Sequence, residues 1–348
     1  MGGVLIYGAT GYTGKLVSRR AKEIGMQPIL AGRSADKVRA VAEPLGFAWR
    51  AADINDPAAL DRALEGIDVV LHIAGPFSAT SRQMADACIR NKAHYLDITG
   101  EIAVIEALAA RSNEAAAAGV MLMPGVGFDV VPSDCLAARV AQRVKDPRQI
   151  TLAIGGMEKA SRGTLKSSIE SVGSPVKVRR NNSIEAAWPP PRRSFDFGAG
   201  PRPGIAVGWG DVASAWYSTG APDITVYFEA MPQMEQMSRL NGFMRWLLST
   251  APMQRLLKAG IDRMPEGPTD AERAAGRAVL IGEAVGANGE TAVSRLTTPE
   301  GYTLTALTSL EIVRRVLAGE AKPGFQTPSK VFGADFIAGI EGCAFQDA

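Results

Sequence analysis

The chain has 348 residues, about 2.3 typical domain lengths, so two domains or one enlarged domain are expected. Hydrophobic residues make up 46% and charged residues 21%, enough for a buried core, which excludes a disordered chain. Its 38 basic and 36 acidic residues leave a formal charge of +2, so no global field directs it to nucleic acid or an anionic membrane. Short apolar runs predict strands at Val4–Tyr7, Pro28–Ala31, Phe47–Ala51, Val69–Ile73, Tyr95–Ile98 and Val120–Met123. Between the first two, Val17, Ala21 and Ile24 recur at helical spacing and stop at Gly25. Asp56 before Pro57 marks the start of a helix through Leu64, and an alanine-rich stretch predicts one helix from Ala103 to Ala118. Strand alternating with helix gives a parallel sheet covered on both faces, hence a doubly wound α/β domain over residues 1–130.

After Pro132 the alternation stops. A second, α+β domain on a mixed sheet is expected over residues 131–304, with strands at Ile150–Ile154 and Ile224–Glu229. The stretch Pro175–Pro203, dense in Pro, Gly, Arg and Asn, reads as a solvated loop. Met237–Ala259 has an amphipathic helical pattern interrupted by Pro252; its apolar residues are expected in the core or a homodimer contact, with lipid or an acyl chain as the alternative. Tyr302–Leu307 reads as a strand and Leu310–Leu317 as a helix ending at Gly319.

The segment GATGYTG, Gly8–Gly14, follows a strand and opens a helix, the context a dinucleotide-binding turn requires. Gly8 permits the sharp turn, Gly11 lets a pyrophosphate approach the backbone, and Gly14 allows close helix–sheet packing; Thr10, Tyr12 and Thr13 lie within the same turn. Beyond the second strand the chain reads Ala31, Gly32, Arg33, Ser34. Where an acidic residue would bind the ribose hydroxyl of NAD, Arg33 offers a planar cation suited to a 2′-phosphate, with Ser34 and Lys37 as further donors, so NADP(H) is expected. Asp36 stands close enough in sequence to neutralise part of that charge. Asp53 ends the third strand, where it would meet an adenine amino group or cap a helix. Ala74, Gly75, Pro76 and Phe77 follow the fourth strand and Asp97, Thr99, Gly100 and Glu101 the fifth, at the carboxyl edge where doubly wound sheets bind ligands.

These motifs, with LAGRS (Leu30–Ser34), AGPF (Ala74–Phe77), HYLDITGE (His94–Glu101) and GVGFDVVPSD (Gly125–Asp134), resemble the saccharopine dehydrogenase-like reductases. The likeness continues through SRGT (Ser161–Thr164), GPTDAER (Gly267–Arg273), EGYTLTAL (Glu300–Leu307) and PGFQTPSKVFGADF (Pro323–Phe336), and is strongest to the trans-acting enoyl reductase group. The resemblance implies a Rossmann domain, an α+β domain, a segment 305–348 packing back on the first domain, and NADPH as cofactor. It also implies an acyl-type substrate, small or carrier-bound. His72 departs from the Asn the family tends to carry there.

Reduction by hydride transfer needs a proton donor beside the cofactor. Asp129, Ser133 and Asp134 follow the sixth strand, and Ser161, Arg162 and Thr164 open a helical pattern in the second domain; Asp129, Ser133, Ser161, Arg162 and Thr164 are the candidates for substrate chemistry. Ser133 and Asp134 read equally as helix caps, and Arg162 as a carboxylate or phosphate clamp or a surface residue. Six basic residues between Pro175 and Pro203 against two acidic ones would attract a phosphopantetheine carrier or a carboxylate if unpaired. Only two histidines, His72 and His94, are present, which excludes multi-histidine metal sites. No tyrosine is followed by lysine four residues on, against the short-chain dehydrogenase class. Three cysteines without CxxC spacing fit a reducing cytosol; an amino terminus without a basic start and no run of 18 apolar residues predict neither a leader nor a span. The readings that remain are an NADPH-dependent reductase of a C=C, C=N or C=O bond, an opine-type imine reductase with several arginines on substrate carboxylates, and a non-catalytic NADP-binding regulator.

Overall fold

A computed structural model describes residues 2–156, 161–163, 165, 174–238, 240–261 and 263–347. The chain divides into two units, Met1–Val131 with Gly301–Glu341, and Pro132–Glu300 with Gly342–Ala348.

In the first unit, β1 (Val4–Tyr7), β2 (Ile29–Gly32), β3 (Trp49–Ala51), β4 (Val69–His72), β5 (His94–Asp97) and β6 (Met121–Met123) alternate with helices. These are α1 (Tyr12–Glu23), α2 (Ala35–Ala42), α3 (Pro57–Ala63), α4 (Phe77–Asn91), α5 (Ile102–Ala109) and α6 (Ser112–Ala117). With the short strand Gly324–Phe325 at one edge, the sheet runs Gly324–Phe325, β6, β5, β4, β1, β2, β3, parallel throughout. Strand order reverses between β4 and β1, the crevice where such sheets bind ligands. Every residue of β1, β4 and β6 is buried, as expected of parallel strands covered on both faces. Helix α1 buries Gly14, Val17, Ser18 and Ala21, one face of a 3.6-residue period. Asp56 caps α3, accepting from the Ala59 amide at 3.0 Å.

Two sequence expectations in this unit are corrected. Ala103–Ala118 is two helices, because Arg111 leaves helical backbone (φ −96°, ψ 9°) while its guanidinium reaches Asp86 at 2.7 Å and Glu114 at 2.8 Å. Just beyond the break, the Ser112 hydroxyl accepts from the Phe325 amide at 3.0 Å. Tyr302–Leu307 is not a strand but part of the helix Gly301–Arg315. Alternating threonines imitate a period of two, yet Thr305 and Thr308 satisfy their hydroxyls on the carbonyls of Gly301 and Leu304, four residues back, so the helix buries them without loss.

In the second unit the helix α7 (Val131–Ala141) leads from the first. Strands follow: β7 (Pro147–Gly155), β8 (Val176–Arg180), β9 (Ser183–Ala187), β10 (Arg192–Asp196), β11 (Pro201–Val207), β12 (Asp223–Glu229), β13 (Arg277–Gly286) and β14 (Thr291–Pro299). They form a mixed sheet in the order β10, β11, β12, β7, β13, β14, with Ala344–Asp347 at the far edge and the β8–β9 hairpin pairing off β12. Only β12 and β7 run parallel along this path. Ala153, Phe195, Ala206, Tyr227 and Ile281 make a core cluster.

The stretch Pro175–Pro203 is therefore not a loop. Asn181 and Asn182 take positive φ (48° and 69°), closing a two-residue hairpin between β8 and β9. Three of its five arginines are engaged within the unit: Arg179 donates to the Val212 carbonyl at 2.9 Å and lies over the Trp216 ring, Arg192 pairs with Glu235 at 3.2 Å, and Arg193 with Glu283 at 2.6 Å. Met237–Ala259 falls on the helices Pro232–Ser238, Gly242–Ser249 and Ala251–Ile261. The interruption is at Thr250, in extended backbone, whereas Pro252 sits in a first helical turn where a missing N–H is harmless. No residue of Gly242–Ser249 is buried, contrary to the expectation of core packing. No helix among the described residues is long and apolar enough to cross a membrane.

Candidate functional site

The three glycines of the β1–α1 turn differ in what requires them. Gly8 has φ +94°, and a Cβ there would lie 2.7 Å from the Ala74 amide nitrogen. A Cβ on Gly14 would lie 2.3 Å from the Gly8 carbonyl oxygen. The fold itself demands both. Gly11 has φ −74°, and the nearest heavy atom to its Cβ position is 3.6 Å away, so the protein would tolerate a side chain there. Gly11 is exposed and is the N-cap of α1, where it has no side chain to cap the helix, and the first turn holds no acidic residue. A helix N-terminus with a glycine N-cap and no acid in its first turn suits a phosphate. Thr10, Tyr12 and Thr13 are half-buried along this turn.

Arg33 is exposed at the end of β2 and forms no ion pair among the described residues, whereas Asp36 pairs with Arg39 at 3.3 Å. The neighbouring acid thus leaves the Arg33 fork available. Ser34 is exposed and is the N-cap of α2 without a side-chain bond to it. Asp53 caps no helix: one oxygen accepts from the Asn55 amide at 2.9 Å in a local turn. Between these lies Tyr7, whose hydroxyl donates to the Ala52 carbonyl at 2.9 Å; burial, then the Asp53 charge, pushes the phenol up to about 12, so it stays a donor.

Across the crevice, strand register sets Tyr7, His72 and Asp97 in one row at the carboxyl ends of β1, β4 and β5. The Thr80 hydroxyl donates to the Ala74 carbonyl at 2.7 Å, with the Pro76 carbonyl at 3.1 Å, so its 3.0 Å contact with His72 Nε2 assigns the ring proton to that nitrogen. Burial pushes His72 down to about 3 and keeps the ring neutral. Its Nδ1 is buried with no partner among the described residues. The loop Ala74–Phe77 is thereby tied from below; Gly75 and Pro76 are joined by a cis bond, and the Phe77 ring stacks edge-on against His72 at 5.4 Å.

Asp97 accepts from Tyr95 Oη at 2.6 Å and from the Thr99 and Gly125 amides at 2.8 and 3.0 Å, knitting the loops after β5 and β6 together. Burial raises it to about 6 against those donors. Glu101 spans the next gap, accepting from the Phe77 and Ser78 amides at 2.8 Å each and closing the α4 N-terminus. Asp129 lies beside Gly100: a Cβ on that glycine would stand 2.8 Å from Asp129 Oδ2. Burial, then the Glu101 carboxylate, pushes Asp129 up to about 7, and its side is partly open. A carboxyl poised there holds or releases a proton near neutrality. The helix Gly301–Arg315 braces this loop, Thr305 Oγ1 accepting from the Phe128 amide at 3.0 Å and Thr308 donating to the Val126 carbonyl at 2.9 Å.

The remaining candidates belong to the second unit. Ser133 and Asp134 are buried within the first turn of α7, not at its cap, and Asp134 accepts from the Ser218 hydroxyl. Ser161 is buried; Arg162 is one-third exposed, with a guanidinium nitrogen 3.9 Å from Glu266 and its amide donating to the Glu266 carbonyl at 3.1 Å. Thr164 lies outside the described residues. Thus the structure brings together Gly8–Gly14, Arg33, Asp53, Ala74–Phe77, Gly100 and Asp129 in one unit. Among the described residues no three His, Cys, Asp or Glu side chains could hold a metal ion. The roles of Tyr7, Thr80 and Glu101 escape sequence reading, because no spacing rule links Glu101 to an amide 24 residues earlier.

Residues 4–123 match the family model described as the saccharopine dehydrogenase NADP binding domain. The chain is 33% identical over 153 residues to a trans-acting enoyl reductase of Mycobacterium leprae (strain TN), covering 42% of this chain and 37% of the relative. It is 31% identical over 151 residues to the human saccharopine dehydrogenase-like oxidoreductase, covering 38% and 35%. The chain thus spans little more than a third of the length of these curated relatives. Among solved structures, the apo saccharopine dehydrogenase (L-Glu forming) of Saccharomyces cerevisiae superposes with a TM-score of 0.68 over 100% of both chains at 14% identity, a likeness of fold. Residues 4–123 are thus similar to the saccharopine dehydrogenase NADP binding domain, and within them the Gly11 turn and the exposed Arg33 fit a phosphorylated dinucleotide.

Proposed function

We propose that this chain is an NADPH-dependent oxidoreductase that reduces a C=C, C=N or C=O bond of an organic, acyl-type substrate. The observation that carries the reading is Gly11, a glycine the fold does not need, at the head of a helix with no anion of its own. Arg33 selects the 2′-phosphate by a charge-assisted fork, and Tyr7 and Asp53 line the adenosine side. The loop Ala74–Phe77, held by His72 and Thr80, positions the nicotinamide end; when bound, the cofactor supplies the hydride. Asp129, near neutrality in its titration, holds the proton delivered to the reduced group. The names of the mycobacterial relatives support enoyl reduction among the three bond types. A buried, neutral histidine in the crevice supports an apolar substrate end over a carboxylate-rich one.

The test is a binding titration of NADPH and NADH with wild type and Arg33→Ala. Loss of the charge-assisted pair weakens NADPH by about 2–3 kcal/mol and leaves NADH nearly unchanged. Equal weakening of both, or none, removes the assignment.

A further inference from the structure

The second unit carries apolar side chains that its own fold does not use. In the helix Gly242–Ser249, five of eight residues are Phe, Met, Trp or Leu, yet none is buried. Phe243 is 66% exposed and Trp246 61%, their rings 5.9 Å apart. The following helix, Ala251–Ile261, adds Leu256 at 67%. Arg245 stacks at 3.7 Å over Trp188, itself 37% exposed, which extends the surface to the β9–β10 connection. Asn241 caps the first of these helices, accepting from the Met244 amide at 2.9 Å, so the helix is fixed locally without burying its apolar face.

Charge decides what covers such a face. Residues 240–261 contain Arg245, Arg255 and Lys258 and no Asp or Glu, although acids are as common as bases in the chain as a whole. The acid on the preceding helix, Glu235, pairs with Arg192. A two-fold contact between copies sets a patch against itself, so a face of one sign would meet its own charge. Exposed Trp and Phe on short amphipathic helices with Arg and Lys, and without acids, match the boundary between headgroups and acyl chains.

We propose that these two helices dock the protein reversibly onto an anionic lipid surface, Phe243, Trp246 and Leu256 entering the boundary and Arg255 meeting the headgroups. This is independent of the cofactor reading, because all of its residues lie in the second unit.

The experiment is co-sedimentation of the full chain with vesicles of phosphatidylcholine, alone or mixed with phosphatidylglycerol, at about 0.1 M salt and again at about 1 M. Binding to the mixed vesicles, released by salt, is expected. Arg255→Gln lowers partitioning roughly fivefold, and Phe243→Ser with Trp246→Ser at least about tenfold. Being at exposed positions, these changes leave the circular dichroism spectrum as in wild type. As a second readout, Trp246 emission, taken as the difference between wild type and Trp246→Phe, shifts to shorter wavelength on the mixed vesicles. No sedimentation with them, or equal, salt-insensitive sedimentation with both kinds, overturns the proposal. So does a stable dimer in sedimentation velocity that Phe243→Ser with Trp246→Ser disperses, which would give the face to a second copy.

Discussion

Two helices begin at the carboxyl edge of the first sheet, α1 after β1 and α4 after β4, and their N-termini carry opposite electrostatics. The α1 terminus begins at Gly11, which has no side chain to cap it, and holds no acid in its first turn. The α4 terminus is filled by Glu101, whose two oxygens take the Phe77 and Ser78 amides. Every helix presents a partial positive charge at this end. Whether that charge recruits an external anion depends on whether the chain has already supplied one. Here Glu101 supplies one to α4, whereas the first turn of α1 supplies none.

The difference can be broken in stages. The largest effect belongs to Gly14→Ala, whose Cβ would meet the Gly8 carbonyl at 2.3 Å; stability falls by about 3 kcal/mol or more, read by urea denaturation. Gly11→Ala is the contrast. It costs less than about 1 kcal/mol of stability yet weakens NADPH by about tenfold or more, and normal NADPH affinity in that variant would show that the turn does not hold the phosphates. Glu101→Gln opens α4 by putting an amide where a carboxylate received two N–H donors, at a cost of about 1–2 kcal/mol. It also lowers the Asp129 titration, which Glu101 helps to raise, measurable by carbon NMR of the Asp129 carboxyl.

The remaining effect is in pH. Asp129 is raised in the folded chain from 3.8 to about 7, so the folded state favours its protonated form. That contribution to stability is fully present below about 4 and is lost as pH rises through about 7. Asp129→Asn removes this slope, gaining stability relative to wild type from pH 5 to 8, and abolishes turnover if Asp129 delivers the proton. An unchanged pH–stability curve would remove its elevated titration from the argument.

How legible the site was varies with the range of the interaction. The Gly8–Gly14 turn and Arg33 follow from neighbouring residues, because a strand, a turn and a helix start within a dozen positions. Of the six amino-terminal strands, β1, β4 and β6 were legible because buried parallel strands are continuous apolar runs, whereas β3, Trp49–Ala51, lies at the sheet edge with no residue buried. Tyr302–Leu307 misled because threonine hydroxyls bonded four residues back look, in sequence, like the polar half of a strand. Pro175–Pro203 misled because its arginines read as solvated until Arg179 is seen buried against Val212 and Trp216.

The sequence by itself determined the doubly wound sheet, the glycine turn and the cation beyond β2, since each rests on local backbone geometry or a period of a few residues. Only the tertiary structure decided that Glu101 closes α4 and that Gly100 admits Asp129 at close range. Those depend on which side chains the fold brings within hydrogen-bond distance, and the free energy of a charge is set by its neighbours in space, which sequence separation does not encode.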